Sequence, residues 1–211
     1  IYAGAPPDGM SVHELVESVA GLIAAGKARA WGVLNWPAEV ISQAADTAVS
    51  LGVAAPCAAQ LAYSVARRSP VEEAATRQAL GKAGASVVAS FALEGGVLSG
   101  KYRAAGQPRQ PGHGTVTGRA AATLGEQRVA PAVAAAEELA ALAERLDTTA
   151  AALALAFALA SPDVASVLFG ATSPEQLRAN CAAVSLLDRL TPDDLAALRQ
   201  IGTQAPPSTG G

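Results

Sequence analysis

Positive charge is scarce in this chain of 211 residues. Lysine occurs only as Lys27, Lys82 and Lys101, and the 15 lysines and arginines face 18 acidic residues, which gives a net charge of -3 at pH 7. Nucleic acids and anionic membrane surfaces are bound mainly through lysine and arginine, so this balance offers no electrostatic basis for either partner. We therefore expect neither a nucleic acid nor a membrane as partner.

Cysteine and histidine are also sparse. Cys57 and Cys181 lie far apart without a CxxC pattern, which excludes a disulfide framework and a zinc knuckle, and both are expected as small buried side chains. His13 and His113 have no carboxylate pattern nearby, so no metal site is predicted. We expect His13 to be exposed in the first turn of a helix and His113 to lie in a loop.

Long apolar runs are missing as well. The segment AALALAFALA stops at Ser161, well short of the ~18 apolar residues of a membrane span. No signal peptide is visible, so we expect a cytoplasmic protein. The chain opens with IYAGAPPD, already inside a predicted strand and without an initiator methionine. We therefore expect it to be the C-terminal part of a longer polypeptide.

Helix-start signals alternate with apolar segments along the chain. Ser11-x-x-Glu14 is a capping box, and Pro37 occupies a first helical position. Helices are predicted at about 12–25, 37–51, 69–84, 132–146 and 149–160, and after Ser173 and Thr191. A long loop is predicted over 103–130, and Asp147 or Thr148 is predicted to cap the helix at 149–160. Buried strands are predicted at IYA, ARAWGVL, CAAQLAY, SVVASFAL and VASVLFG.

This alternation predicts an α/β fold with a parallel sheet and helices outside it. A doubly wound sheet could use five strands, but the start inside a strand favours the C-terminal half of a (β/α)8 TIM barrel, about strands 4 to 8. We predict one domain over residues 1–211, with a flexible tail at 203–211. Functional side chains of such a barrel lie at the C-terminal ends of strands, here Asn35, Gln60, the 91–101 loop and Gly170.

Four segments in the right order resemble the aldo-keto reductase family over residues 1 to about 200. GKARAWGVLNW is similar to GKxRxxGVSNW, AAQLAYS to Q-x-x-YS, FALEGGVLSGKY to SPLAGGLLTGKY, and SVLFGATSPEQLRAN to VLLGASxxEQLxEN. The likeness is greatest to the branch that includes the potassium-channel β subunits and bacterial sugar reductases.

The resemblance implies NADP as cofactor. It places the nicotinamide carboxamide on Asn35 and Gln60, cofactor phosphate on Lys101, and the adenosine phosphate on a clamp near the last strand. The implied cofactor-binding residues are Asn35, Gln60, Leu93, Lys101, Gly170, Thr172, Gln176 and Asn180. Other interpretations remain open: Asn35 and Gln60 could cap the adjacent helices, and Lys101 could be a solvated loop residue. An arginine of the long loop, Arg103, Arg109 or Arg119, would fold over the cofactor.

Several positions depart from the family pattern. The catalytic Asp, Tyr and Lys of the family would lie upstream of this chain, and the position of its His is Ala5, so no catalytic residue is assigned within the chain. The aromatic residue that stacks on the nicotinamide is Ser90, although a shift of the loop could bring Phe91 into that role. Glu94 stands where the family has a small residue. We expect it to face solvent in a turn, with contact to substrate or cofactor as the alternative.

Two functions follow as hypotheses. The first is an NADPH-dependent oxidoreductase that passes a hydride from the nicotinamide to a carbonyl substrate. The second is a catalytically impaired reductase-like protein that acts as a binding or regulatory partner, an alternative motivated by Ala5 and Ser90. An open half-barrel would also need an upstream half-barrel segment or a second copy for stability. Substrate identity is not readable from these residues.

Overall fold

A computed structural model describes residues 1–103, 114–115 and 124–202. These residues fall into two compact units. The first unit consists of Ile1–Ala62, Arg68–Ser90 and Asp163–Ser166, and the second of Tyr63–Arg67, Phe91–Pro162 and Val167–Gly211.

A five-stranded sheet forms the centre of the first unit. Its strands, in spatial order, are β1 (Tyr2–Ala3), β2 (Gly32–Leu34), β3 (Ala58–Ala62), β4 (Ser86–Ser90) and β7 (Val164–Val167). Strands β1 to β4 pair in parallel, and Leu34 of β2 lies opposite Gln60 of β3. Strand order follows chain order throughout, without the reversal that marks a doubly wound sheet. The α/β class and the five strands of the predicted partial barrel are therefore confirmed.

Four helices belong to this unit: α1 (Val12–Ala24), α2 (Ala38–Leu51), α3 (Ser69–Glu72) and α4 (Ala74–Ala83). The capping box predicted at Ser11 and Glu14 is present in full. Pro37 is the N-cap of α2 rather than its first helical residue. The single helix predicted from Ser69 is broken into two, because Glu73 adopts an extended conformation with φ -62° and ψ 138°.

Helices dominate the second unit. A 3-10 segment (Glu94–Ser99) is followed by two short paired strands, β5 (Tyr102–Arg103) and β6 (Gly114–Thr115). The helices are α5 (Glu126–Arg145), α6 (Ala150–Leu159), α7 (Pro174–Cys181), α8 (Ala183–Leu187) and α9 (Pro192–Gln200). Of the nine residues of α6 from Ala150 to Ala158, all but Ala151 are buried, which explains its apolar sequence on all sides.

The predicted loop over 103–130 is wrong at its C-terminal end, since α5 begins at Glu126. The cap of α6 is Thr149, whose hydroxyl oxygen accepts the backbone N–H of Ala152 at 3.1 Å. Asp147 is excluded as that cap because its φ of 48° is left-handed, whereas an N-cap needs an extended backbone. His113 and the predicted tail at 203–211 lie outside the described residues.

The cysteine prediction is also wrong, because Cys57 and Cys181 are both exposed. Cys57 lies just before β3 and donates its thiol to the carbonyl oxygen of Trp31 at 3.3 Å. His13 is exposed as predicted, with Glu17 one helical turn away at 3.6 Å. Within the described part of the chain, no helix is long and apolar enough to cross a membrane.

Candidate functional site

Asn35, directly after β2, and Gln60 of β3 are hydrogen-bonded neighbours in the first unit. The backbone N–H of Asn35 donates to the carbonyl oxygen of Gln60 at 2.9 Å, which extends the ladder between β2 and β3 by one residue. Asn35 is exposed and Gln60 is half-buried. Gln60 lies in the middle of β3. The prediction that Gln60 lies at the C-terminal end of its strand is therefore wrong. The structure thus brings these two predicted residues together.

Asn35 has a left-handed backbone, with φ of 53°. Asparagine enters this region more readily than other side chains except glycine, which gives a local reason for its position directly after β2. Neither Asn35 nor Gln60 caps the helix that follows it. The N-caps of α2 and α3 are Pro37 and Arg68, and neither helix start receives a side-chain hydrogen bond. The interpretation of both amides as helix caps is therefore wrong.

Leu93 and Lys101 lie at the two ends of a glycine-rich turn in the second unit, called the 93–101 turn below. Gly95, Gly96 and Gly100 in this turn have φ values of 64°, 90° and 79°. A Cβ atom on Gly96 would lie 3.2 Å from the Nζ atom of Lys101, so the lysine side chain lies directly over this glycine. The absence of a side chain at Gly96 therefore leaves room for that lysine position.

The segment from Gly170 to Asn180 surrounds the start of α7. The oxygen Oε1 of Gln176 accepts both the backbone N–H of Thr172 at 2.9 Å and its hydroxyl at 3.0 Å, which closes the loop that precedes the helix. Asn180 is buried further along α7, and the Cα of Gly170 faces open space. Thr172 and Gln176 are thus brought into direct contact.

The first turn of α7 already contains a negative charge. Hydrogen bonds from its own backbone N–H and from the Ser173 hydroxyl keep the pKa of Glu175 below its ordinary value of 4.5. The Ser173 oxygen also accepts the backbone N–H of Gln176. A carboxylate is favourable at a helix N-terminus, but it repels a phosphate at the same place. The backbone N–H groups of this helix start are therefore poorly suited to bind a phosphate.

The expectation that Glu94 faces solvent is wrong. Its side chain is fully buried, and its backbone is left-handed with φ of 45°. Oε1 accepts the Ser64 hydroxyl at 2.7 Å, and Oε2 accepts Nη2 of Arg67 at 2.9 Å. Nη2 of Arg128 lies 3.8 Å from Oε1. Sequence reasoning missed Arg67 and Arg128, since no local pattern links them to a turn so far along the chain.

The positions that depart from the family pattern are also placed. Ala5 is exposed and follows β1. Ser90, the last residue of β4, is buried, and its hydroxyl has no hydrogen-bond partner. Phe91 is 36% exposed, and the guanidinium of Arg67 lies over its ring, 5.4 Å from the centroid.

The loop arginines and metal-type residues add little to the site. Arg103 ends β5, whereas Arg109 and Arg119 fall outside the described residues. Across residues 1–103, 114–115 and 124–202, no group of three or more His, Cys, Asp or Glu side chains could hold a metal ion.

Comparisons with known proteins identify the family of the chain. The profile described as "Aldo/keto reductase family" matches residues 2–203. The chain is also 31% identical, over 202 residues, to a protein of Schizosaccharomyces pombe (strain 972 / ATCC 24843) named "Putative voltage-gated potassium channel subunit beta". That alignment covers 95% of this chain and 58% of the relative, so the chain spans little more than half of the relative's length. The chain belongs to the aldo/keto reductase family.

Proposed function

We propose that the chain is part of an NADPH-dependent oxidoreductase of the aldo/keto reductase type, in which a hydride passes to the carbonyl carbon of a small-molecule substrate. The carbonyl oxygen would take up a proton from an acid supplied by residues upstream of this chain. The bound cofactor supplies the hydride, and the residues of this chain bind and orient it. Beyond family membership, the observation that carries the proposal is the pairing of Asn35 and Gln60 on adjacent strands.

These two residues suit a carboxamide. Each side-chain amide has one acceptor oxygen and two donor hydrogens, the same set that the nicotinamide carboxamide presents. Asn35 is exposed and Gln60 half-buried, so a ligand can reach both. We assign the carboxamide to this pair.

The phosphates are assigned to side chains of the second unit. Lys101 provides a positive charge at the end of the 93–101 turn, and Gln176 keeps two amide hydrogens as donors while its oxygen binds Thr172. Leu93, Gly170 and Asn180 complete the assigned residues. Because Glu175 occupies the start of α7, side chains rather than the helix N–H groups would bind the phosphate.

Affinity for NADPH is expected to be lower than is usual in the family. Ser90 replaces an aromatic residue that would stack on the nicotinamide. Loss of such a stack removes roughly 1 kcal/mol beyond the buried area, about a fivefold change in the dissociation constant.

Fluorescence titration of the full-length protein with NADPH tests the proposal. Lys101→Ala should weaken binding by about 1.5–3 kcal/mol, the range for hydrogen bonds to charged groups, and Gln176→Ala should weaken it less. Lys27→Ala, which removes another exposed lysine, is the matched control and should bind as the unaltered protein does. Absence of binding at millimolar NADPH, or equal affinities in all variants, would refute the site assignment.

A second candidate is a reductase-like protein that binds the cofactor and acts as a regulatory partner. Two observations favour it: Ala5 has no hydrogen-bonding side chain where the family has His, and the relative from S. pombe is named as a channel subunit. The two candidates differ in turnover. The test is to follow the oxidation of NADPH by the full-length protein in the presence of a panel of aldehydes and ketones. Oxidation supports the oxidoreductase, whereas tight binding of NADPH without turnover supports the regulatory partner.

We further propose that the sheet of the first unit is covered by additional polypeptide, either an upstream half-barrel segment or a second copy. Tyr2 of edge strand β1 is 46% exposed and Ile1 is 55% exposed, and exposed apolar edges promote association. Sedimentation of the 211-residue polypeptide alone should show association or poor folding. A well-folded monomer would contradict this.

We also propose a cytoplasmic location. The exposed free thiols Cys57 and Cys181 suit a reducing compartment. Cell fractionation followed by thiol labelling is the test, and recovery of the protein with oxidised thiols from an exported fraction would refute it.

A further inference from the structure

The cluster around Glu94 has no role in the proposed function as argued so far. A fully buried carboxylate is tolerated only when charge and hydrogen bonds compensate its lost hydration. Here Ser64, Arg67 and Arg128 supply that compensation, and all four residues belong to the second unit. Two guanidinium groups for one carboxylate exceed what neutralising a single charge requires.

The partners of Glu94 are themselves held in place. Ser64 and Arg67 exchange two backbone hydrogen bonds of 3.0 and 3.1 Å, and the Ser64 hydroxyl also accepts the N–H of Ala66. Nη2 of Arg128 donates to the carbonyl oxygen of Ala66 at 3.2 Å. The carboxylate therefore contacts a tight turn whose geometry is fixed independently of the 93–101 turn.

The 93–101 turn contains one backbone conformation that is costly by itself, the left-handed φ of Glu94. Glu94, Gly95 and Gly96 are consecutive left-handed residues, and glutamate has no intrinsic preference for that region. Such conformations persist where surrounding contacts over-determine them. Val97 is fully buried in a cluster with Leu124, Ala132 and Val133 on one side of the turn, and the Glu94 ion pair fixes the other.

We infer that Glu94 is a positioning residue: its buried carboxylate, bound to Arg67 and Ser64, holds the 93–101 turn in the conformation that places Lys101 for a cofactor phosphate. The link is direct, because the Lys101 ammonium lies over Gly96, two residues from Glu94. This inference rests on the proposed binding of NADPH.

A double-mutant cycle on the full-length protein tests it. Glu94→Gln keeps the shape and an acceptor oxygen but removes the charge, and should raise the NADPH dissociation constant about tenfold. If Glu94 acts through Lys101, the same substitution should have almost no further effect in a Lys101→Ala background. General destabilisation would instead multiply the two effects. Ser64→Ala, which removes one hydrogen bond to the same carboxylate, should shift affinity in the same direction by less.

Asp163→Asn is the matched control, since Asp163 binds Arg77 at 2.9 Å in the first unit and should leave the dissociation constant unchanged when neutralised. Hydrogen exchange of the backbone amides in the 93–101 turn, measured without ligand, should be faster in Glu94→Gln than in the control. Unaltered exchange, or NADPH affinity within twofold of the unaltered protein, overturns the positioning role while the proposed function stands. Failure of the unaltered protein to bind NADPH overturns the proposed function and this inference together.

Discussion

Replacing Asn35 separates the two reasons for an asparagine directly after β2. One reason is conformational, because φ is 53° at this position. The other is chemical, because the amide is assigned to the nicotinamide carboxamide. Asn35→Gly preserves the backbone and removes the amide, whereas Asn35→Ala removes the amide and strains the backbone.

The expected magnitudes follow from these two effects. An ordinary L-residue in the left-handed region costs about 1–2 kcal/mol, and this cost is smaller for asparagine. Asn35→Ala should therefore reduce the free energy of unfolding by about 1 kcal/mol. Asn35→Gly should change it by less than about 0.5 kcal/mol. Under the proposed assignment, both variants would lose neutral hydrogen bonds to the cofactor, worth about 0.5–1.5 kcal/mol, and should bind NADPH about two- to tenfold more weakly.

Two assays on the same samples measure these effects. Urea unfolding can be followed through Trp31 and Trp36, the two tryptophans of the chain, which are both buried and lie in edge contact with centroids 6.4 Å apart. NADPH titration gives the affinity, with Gln78→Ala as a control that removes an exposed amide from α4. Normal NADPH binding by Asn35→Gly would show that Asn35 serves the backbone alone, and the carboxamide assignment would fail.

Three further predictions concern stability. Gly32→Ala should destabilise the protein by about 1–3 kcal/mol in urea unfolding, because its Cβ would lie 2.5 Å from the Ala58 carbonyl oxygen. Gly21→Ala, on the open surface of α1, is the control and should stabilise the protein. Equal effects of the two substitutions would contradict the close contact between the strands. Glu94→Ala should lower the free energy of unfolding by about 3–5 kcal/mol, because it removes the carboxylate that Arg67 binds. The double variant Glu94→Leu with Arg67→Met removes both charges and should lower it far less. A larger loss of stability in the double variant would contradict the argument for a buried ion pair. Hydrogen bonds from Ser11 lower the pKa of Glu14 in the folded state, so this carboxylate stabilises the fold above its ordinary pKa of 4.5, and that stabilisation is lost as the pH falls through the lower folded value. The urea midpoint should depend less on pH in Glu14→Gln than in the unaltered protein over the carboxylate range, from about pH 5 to about pH 2. An unchanged pH dependence would exclude the coupling.

Local signals made much of the fold predictable. A capping box needs only residues three apart, so the starts of α1 at Ser11 and of α9 at Thr191 follow directly from the sequence. The parallel sheet follows from the alternation of strands and helices, and its chain-order pairing follows from the choice of a barrel over a doubly wound sheet. The neighbouring positions of Asn35 and Gln60 follow in turn, because the strands that carry them are adjacent and parallel.

Non-local contacts were not predictable. Nothing near Glu94 in the sequence distinguishes a buried glutamate from an exposed one, because its partner Arg67 lies 27 residues earlier. Periodicity also failed in the helix predicted from Ser69, where one extended residue, Glu73, divides two helical segments. The early start of α5 includes Pro131, a residue that normally argues for a helix boundary.

The end of β4 shows why one such contact changes the interpretation of several residues. Side chains alternate along a strand, and this rule sets Phe91 opposite to Ser90 only while the backbone stays extended. The left-handed φ of 56° at Phe91 ends that alternation, so local sequence no longer determines where the ring lies. Its position must then come from tertiary contact, and the guanidinium of Arg67 provides one over the ring. The same guanidinium binds Glu94 three residues later. Arg67 therefore contacts both Phe91 and Glu94 in the segment that directly follows β4. Replacing Arg67 should disturb the aromatic ring and the buried carboxylate together.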